Sequence, residues 1–167
     1  MVIDRVIADR FIDSYMDFLG TLVSAEEKHG KRPAQWLAIG RARYADDRST
    51  LARYRAAHPE ADSEMLDAIA ELRLGRWVYL KDTRTYSVLV AEDGSAAYGV
   101  LGLTDRLRTV AQGATGSVLR AGLVSLQGRW VCDGLLEGMV WLGPNLRREL
   151  NQTYQNLRDE GRFSLGL

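Results

Sequence analysis

Apolar side chains recur every three or four positions through the first part of the chain. Ile3, Val6, Ile7, Phe11, Tyr15, Phe18, Leu22 and Val23 fall on one stripe, which predicts a helix closed by His29-Gly30. Pro33 suits a first helical turn and the His58-Pro59 step leaves helical geometry, so the spacing predicts one helix across the segment between them. Within it Ala38, Ala42, Ala45, Ser49, Ala52 and Ala56 alternate steps of four and three. Such a stripe of small residues lets another helix, or a second copy of this one, approach closely. A third helix, over about 63 to 73, turns Met65, Leu66, Ile69 and Leu72 inward and ends at Gly75.

Beyond Gly75 the pattern shortens and glycines punctuate it. WVYLKD, TYSVLVA and AAYGVLGL read as strands, the last two joined by a hairpin at Asp93-Gly94. Thr104 is placed to cap a short helix, DRLRTVAQ, that Gly113 closes. SVLRAGLVSL and RWVCDGLL follow as strands meeting at Gln127-Gly128. Gly143-Pro144 then opens an amphipathic helix carrying Leu146, Leu150, Tyr154 and Leu157 on one face, with Gly161 at its end.

The expected fold class is therefore α+β: N-terminal helices packed with a small curved antiparallel β-sheet or partly closed barrel, and a C-terminal helix. The division falls into a helical region, 1 to 75, and a β-rich region with the last helix, 76 to 167, read together as one compact unit. Five strands with a helix between the third and fourth is the element order of an OB-fold, and an SH3-like barrel is the alternative. The chain shows neither an internal repeat nor a low-complexity tract.

Composition narrows the setting. With 46% hydrophobic and 26% charged residues the chain is globular, and 22 basic against 22 acidic residues give no global pull toward nucleic acid or membrane. A single cysteine excludes an internal disulfide and a cysteine zinc cluster, and it fits a reducing compartment. Charges interrupt the opening MVIDRVIADRF, so no signal-peptide core is expected, and no run reaches the roughly 20 apolar residues of a membrane helix. The expected location is the cytoplasm.

Catalytic constellations fail in turn. Cys132, in GRWVCDGLLEG, shares a strand side with Trp130 and Gly134, and Asp133 beside it would raise rather than lower a thiol pKa. A small buried core residue is the preferred reading over a nucleophile. The glycines of YGVLGLTD and AQGATGS lack the Lys-Ser/Thr of a P-loop and the spacing of a dinucleotide fingerprint. Two isolated histidines, His29 and His58, give no metal-ligand spacing, and no serine lies in a G-x-S-x-G elbow. No catalytic residue, metal or cofactor is assigned.

Binding candidates remain. Arg147 and Arg148 fall in the first turn of the last helix, where the dipole opposes a cation unless an anion binds. Arg41, Arg48 and Arg55 recur every seven residues, flanked by the row Leu37, Tyr44 and Leu51. Between residues 31 and 58 seven basic residues face two acidic ones, a local balance of +5 that fits a phosphate backbone. The neighbouring predicted helices, however, carry acidic rows, Asp9, Asp13 and Asp17 on one and Glu64, Asp67 and Glu71 on the other. Ion pairing within the helical half, or across a dimer, is preferred over nucleic acid. Trp77, Tyr79, Tyr86 and Tyr98 lie on or near strands as base-stacking residues do, but core packing accounts for them more simply.

Residues 128 to 163, through VCDGLL, Gly143-Pro144-Asn145, Tyr154 and Gly161-Arg162-Phe163, resemble the C-terminal part of some uncharacterised bacterial proteins. The resemblance implies a bacterial origin and supplies no activity. The expected function is a non-catalytic cytoplasmic binding or interaction module, with a protein or anionic partner and a homodimer as open alternatives. A nucleic-acid-binding module and an enzyme assembled from scattered Asp, Arg and Tyr residues are the competing readings.

Overall fold

The computed structural model describes residues 1 to 166 and divides into two compact units, a helical one over Arg5–Glu71 and a strand unit over Met1–Asp4 and Leu72–Leu167. The class is α+β.

The helical unit holds α1 (Arg5–Thr21), α2 (Ala25–Lys28), α3 (Pro33–Asp46), α4 (Ser49–Ala57) and α5 (Ser63–Ala70). The apolar stripe of α1 buries Ala8, Phe11, Tyr15, Phe18 and Leu19. It stops at Thr21, short of the expected His29, because Ser24 opens a new turn: its hydroxyl accepts from the Glu27 amide while the Glu27 carboxylate accepts from the Ser24 amide. The single helix expected from Pro33 to His58 is broken at Asp47. There the Asp47 side chain takes both the amide and the hydroxyl of Ser49, so a capping interaction replaces continued helix.

That break overturns two expectations. Arg41, Arg48 and Arg55 are no longer one evenly spaced row, and the small-residue stripe is not a continuous contact, since Ser49, Ala52 and Ala56 are exposed. The close approach is made by Gly40 instead, where an added Cβ would sit 2.7 Å from the Leu19 carbonyl oxygen of α1. Asp62 caps α5 by accepting from the Met65 amide. The helix ends at Ala70, and Gly75, expected to close it, lies inside the following strand.

The strand unit contains β1 (Arg73–Asp82), β2 (Ser87–Ala91), β3 (Ala97–Leu101), α6 (Leu107–Val110), β4 (Ser117–Leu126), β5 (Arg129–Cys132), β6 (Glu137–Trp141), α7 (Pro144–Asp159) and β7 (Phe163–Ser164). Its sheet is seven-stranded, in the order β1-β2-β3-β5-β4-β6, with β1 also paired to β4 and β7 paired to β3. The β1 to β4 pairing closes a ring of hydrogen bonds through β1, β2, β3, β5 and β4. The sheet is mixed rather than purely antiparallel, because β3 runs parallel to β5 and to β7. Gln127 and Gly128, with φ of 51° and 69°, supply the two left-handed positions of a tight hairpin between β4 and β5.

Strand alternation sends two sets of side chains to opposite faces. One set, including Trp77, Tyr79, Leu119, Leu123, Trp130 and Cys132, packs with Leu107 and Ala111 of the α6 segment. The other, including Val78, Leu80, Val88, Val90 and Val118, is covered by Tyr154 and Leu157 of α7. α6 is shorter than expected and begins after Arg106, while the Thr104 hydroxyl bonds Asp105 rather than capping it. Among the described residues no helix is long and apolar enough to cross a membrane.

Candidate anion-binding pocket

The end of β1 carries a polar network. Tyr79 donates its phenol proton to both Asp82 oxygens at 2.7 Å, and the Ser87 hydroxyl donates to Asp82 at 2.6 Å. Burial, and then the hydrogen bond to Asp82, raises the Tyr79 pKa well above its ordinary value, so the phenol stays a donor. Asp82 is thereby held by two hydroxyls.

Around this network three elements converge. A cavity of about 280 Å³ is lined by Leu80, Lys81 and Asp82 of β1, Arg108 of α6, Gly113 and Thr115 of the following loop, and Arg147 of α7. The loop is fixed by backbone bonds: the Gly116 amide donates to the Tyr79 carbonyl at 2.6 Å, and the Leu142 amide donates to the Gly116 carbonyl at 2.8 Å. Gly116 has φ +84°, and a Cβ there would lie 2.6 Å from Arg147 Nε. Glycine is therefore what lets the Arg147 guanidinium lie against the loop. Lys81 passes over the Tyr154 ring with its Nζ 4.7 Å from the centroid.

The electrostatics of this pocket differ from those elsewhere in the strand unit. Arg76 pairs with Glu92 at 2.8 Å, Arg120 with Glu137 at 3.9 Å and Arg162 with Glu160 at 3.5 Å. Lys81, Arg108 and Arg147 enter none of these pairs. Three cations share the cavity with one carboxylate already engaged by hydroxyls, so the cavity favours an added negative group.

The residues singled out in the sequence lie in several places. Arg147 lines the cavity; Arg148, exposed next to it, does not. The Arg147 amide already donates to the Gly143 carbonyl, so the side chain and not a free helix amide faces the cavity. Arg41 is fully buried, Arg48 donates to the Ala70 carbonyl at 3.0 Å and stacks over Tyr44, and Arg55 pairs with Asp67 at 2.7 Å. Arg41 is thus out of reach of a phosphate backbone. Cys132 is 2% exposed inside the Trp130 cluster, and Asp133 accepts from the Gly122 and Leu135 amides. Trp77 and Tyr79 are buried, the Trp77 indole donating to the Ala121 carbonyl, while Tyr86 and Tyr98 are half-buried. Among the described residues no group of three His, Cys, Asp or Glu side chains is arranged to hold a metal ion.

A larger open cavity of about 590 Å³ is lined by Arg76, Trp77, Glu92, Asp93 and Tyr98 among others. Its one cation is neutralised by the Arg76 to Glu92 pair, which leaves it without a comparable electrostatic signal. Sequence reasoning missed Lys81 and Arg108. They lie far from Arg147 in the chain, and only the strand pairing and the docking of α7 bring the three together. No family model, no curated protein and no solved structure matches the chain.

Proposed function

We propose that the protein is a non-catalytic cytoplasmic binding module that holds an anionic group, phosphate or carboxylate, between Lys81, Arg108 and Arg147. The observation that carries this reading is the gathering of three cations from β1, α6 and α7 into one cavity without an ion pair to any of them among the described residues. Two planar guanidinium forks suit bidentate contact with phosphate or carboxylate oxygens, and the lysine adds a compact charge. A binding role rather than turnover is supported by the burial of Cys132 and by the surface positions of His29 and His58, which leave the cavity without a thiol or imidazole. A single cysteine in the sequence, buried at position 132, fits a reducing cytoplasm.

Calorimetric titration with inorganic pyrophosphate tests the proposal. Saturable binding that weakens as salt rises is expected, and Arg108→Gln or Arg147→Gln should each weaken it about tenfold or more. Binding that is absent at low salt, or unchanged in both variants, would overturn it.

A further inference from the structure

The carboxylate among the cations is the part of the pocket that attraction of charge does not explain. Asp82 lines the cavity with Lys81, Arg108 and Arg147. A cavity built only to attract negative charge gains nothing from an added carboxylate, which repels any anion seated there.

The position of Asp82 depends on a local irregularity. Residues three apart on a regular strand face opposite ways, yet the Tyr79 phenol and the Asp82 carboxylate meet at 2.7 Å. The register of β1 against β2 shifts between Tyr79 and Lys81, so Leu80 is the extra residue of a bulge that reverses the alternation. Ser87, opposite Asp82 in that register, then donates its hydroxyl at 2.6 Å.

These bonds fix what Asp82 can do. Burial, and after it the bond to Asp82, raises the Tyr79 pKa, so the phenol keeps its proton and the carboxylate remains the acceptor. Oδ1 accepts from both hydroxyls and Oδ2 from Tyr79 alone. A carboxylate offers about four acceptor sites, so capacity for a further donor remains on the cavity wall.

We propose that Asp82 makes the pocket specific for a phosphate group that keeps one proton, as inorganic phosphate or as a monoester. The O–H of the phosphate donates to the carboxylate while its other oxygens meet Lys81, Arg108 and Arg147. The proposal rests on the anion reading above and narrows it. Phosphate monoesters have a second pKa of about 6, so a protonated form is present near neutral pH. Sulfate, carboxylates and phosphodiesters carry no such proton there and set acceptor against acceptor. The backbone of a nucleic acid, a chain of diesters, falls on the excluded side.

Calorimetric titration at about pH 6.5 with inorganic phosphate, methyl phosphate, sulfate and dimethyl phosphate reads this discrimination. Sulfate matches phosphate in its tetrahedral shape, and dimethyl phosphate matches the singly charged monoester in charge. Phosphate and methyl phosphate are expected to bind at least about tenfold more tightly than sulfate and dimethyl phosphate. Whichever of the first two is tighter identifies free phosphate or an ester as the ligand. In Asp82→Asn the preference for phosphate over sulfate should fall to within about threefold, because the amide donates where the carboxylate accepted. Equal binding of phosphate and sulfate by the unmodified chain, both weakened by Arg147→Gln, would overturn the role of Asp82 and leave the anion pocket standing. Binding of none of the four would overturn it too, together with the pocket itself if pyrophosphate also fails. A full preference retained in folded Asp82→Asn would overturn it as well, and if that variant does not fold, the comparison in the unmodified chain decides.

Discussion

The helical and strand units use their cations differently. In the helical unit the arginines are spent on neighbours: Arg10 on Asp62 and Glu64, Arg43 on Glu27, Arg53 on Asp47 and Arg55 on Asp67. In the strand unit Lys81, Arg108 and Arg147 are collected around one cavity and, among the described residues, enter no such pairs. The dense basic segment of the sequence is thus spent largely on ion pairs and backbone contacts, while the cations that line one cavity come from separate elements of the strand unit.

The strongest way to break this contrast is through the core that holds the pocket's elements together. Trp130 is 1% exposed and donates its indole N–H to the Ser164 hydroxyl, so Trp130→Ala should cost about 3–5 kcal/mol in denaturant unfolding of the strand unit. In the helical unit the tightest point is Gly40. Gly40→Ala should destabilise by about 1–3 kcal/mol because the new methyl meets backbone, whereas Ala52→Leu on the exposed part of the small-residue stripe should stay within about 0.5 kcal/mol. Equal costs at positions 40 and 52 would show that the stripe, not the glycine, makes the helix contact.

Smaller effects sharpen the electrostatic side. Arg55→Gln should cost less than about 1 kcal/mol, since Asp67 is largely in water and the pair is screened. Acid separates the units further. The Arg43 guanidinium, and after it the Ser24 amide, lower the Glu27 pKa from 4.5 to about 2. A depressed carboxylate stabilises the fold above its unfolded pKa and loses that contribution as pH falls through the folded one. Helicity followed by circular dichroism should therefore decline from pH 4.5 toward pH 2, and Arg43→Gln should reduce that component. Tyr79 has the opposite sense: its raised pKa contributes stability below its ordinary value of 10.0 that is lost as pH rises.

Much of the fold was legible. The apolar stripes of α1, α5 and α7, the strands β1 to β5 and the Asp93-Gly94 and Gln127-Gly128 turns follow from local spacing and turn chemistry. What escaped was decided by side chains acting on nearby backbone, as when Asp47 captures Ser49 and divides one expected helix in two. The exposed GMVW of β6 and the two residues of β7 also escaped, because neither shows the half-buried alternation of a strand. The site was less legible than the fold. Arg147 was visible as a cation misplaced against a helix dipole, but nothing local marks Lys81 or Arg108, which reach it only through tertiary pairing.

One paired titration tests the contrast most directly. Two variants of equal charge change, one replacing Lys81, Arg108 and Arg147 by Gln and the other Arg48, Arg53 and Arg55 by Gln, are titrated with inorganic pyrophosphate beside the unmodified chain. The account predicts loss of saturable binding in the first and an affinity within about twofold of the unmodified chain in the second. Equal weakening in both, or loss only in the second, would contradict it.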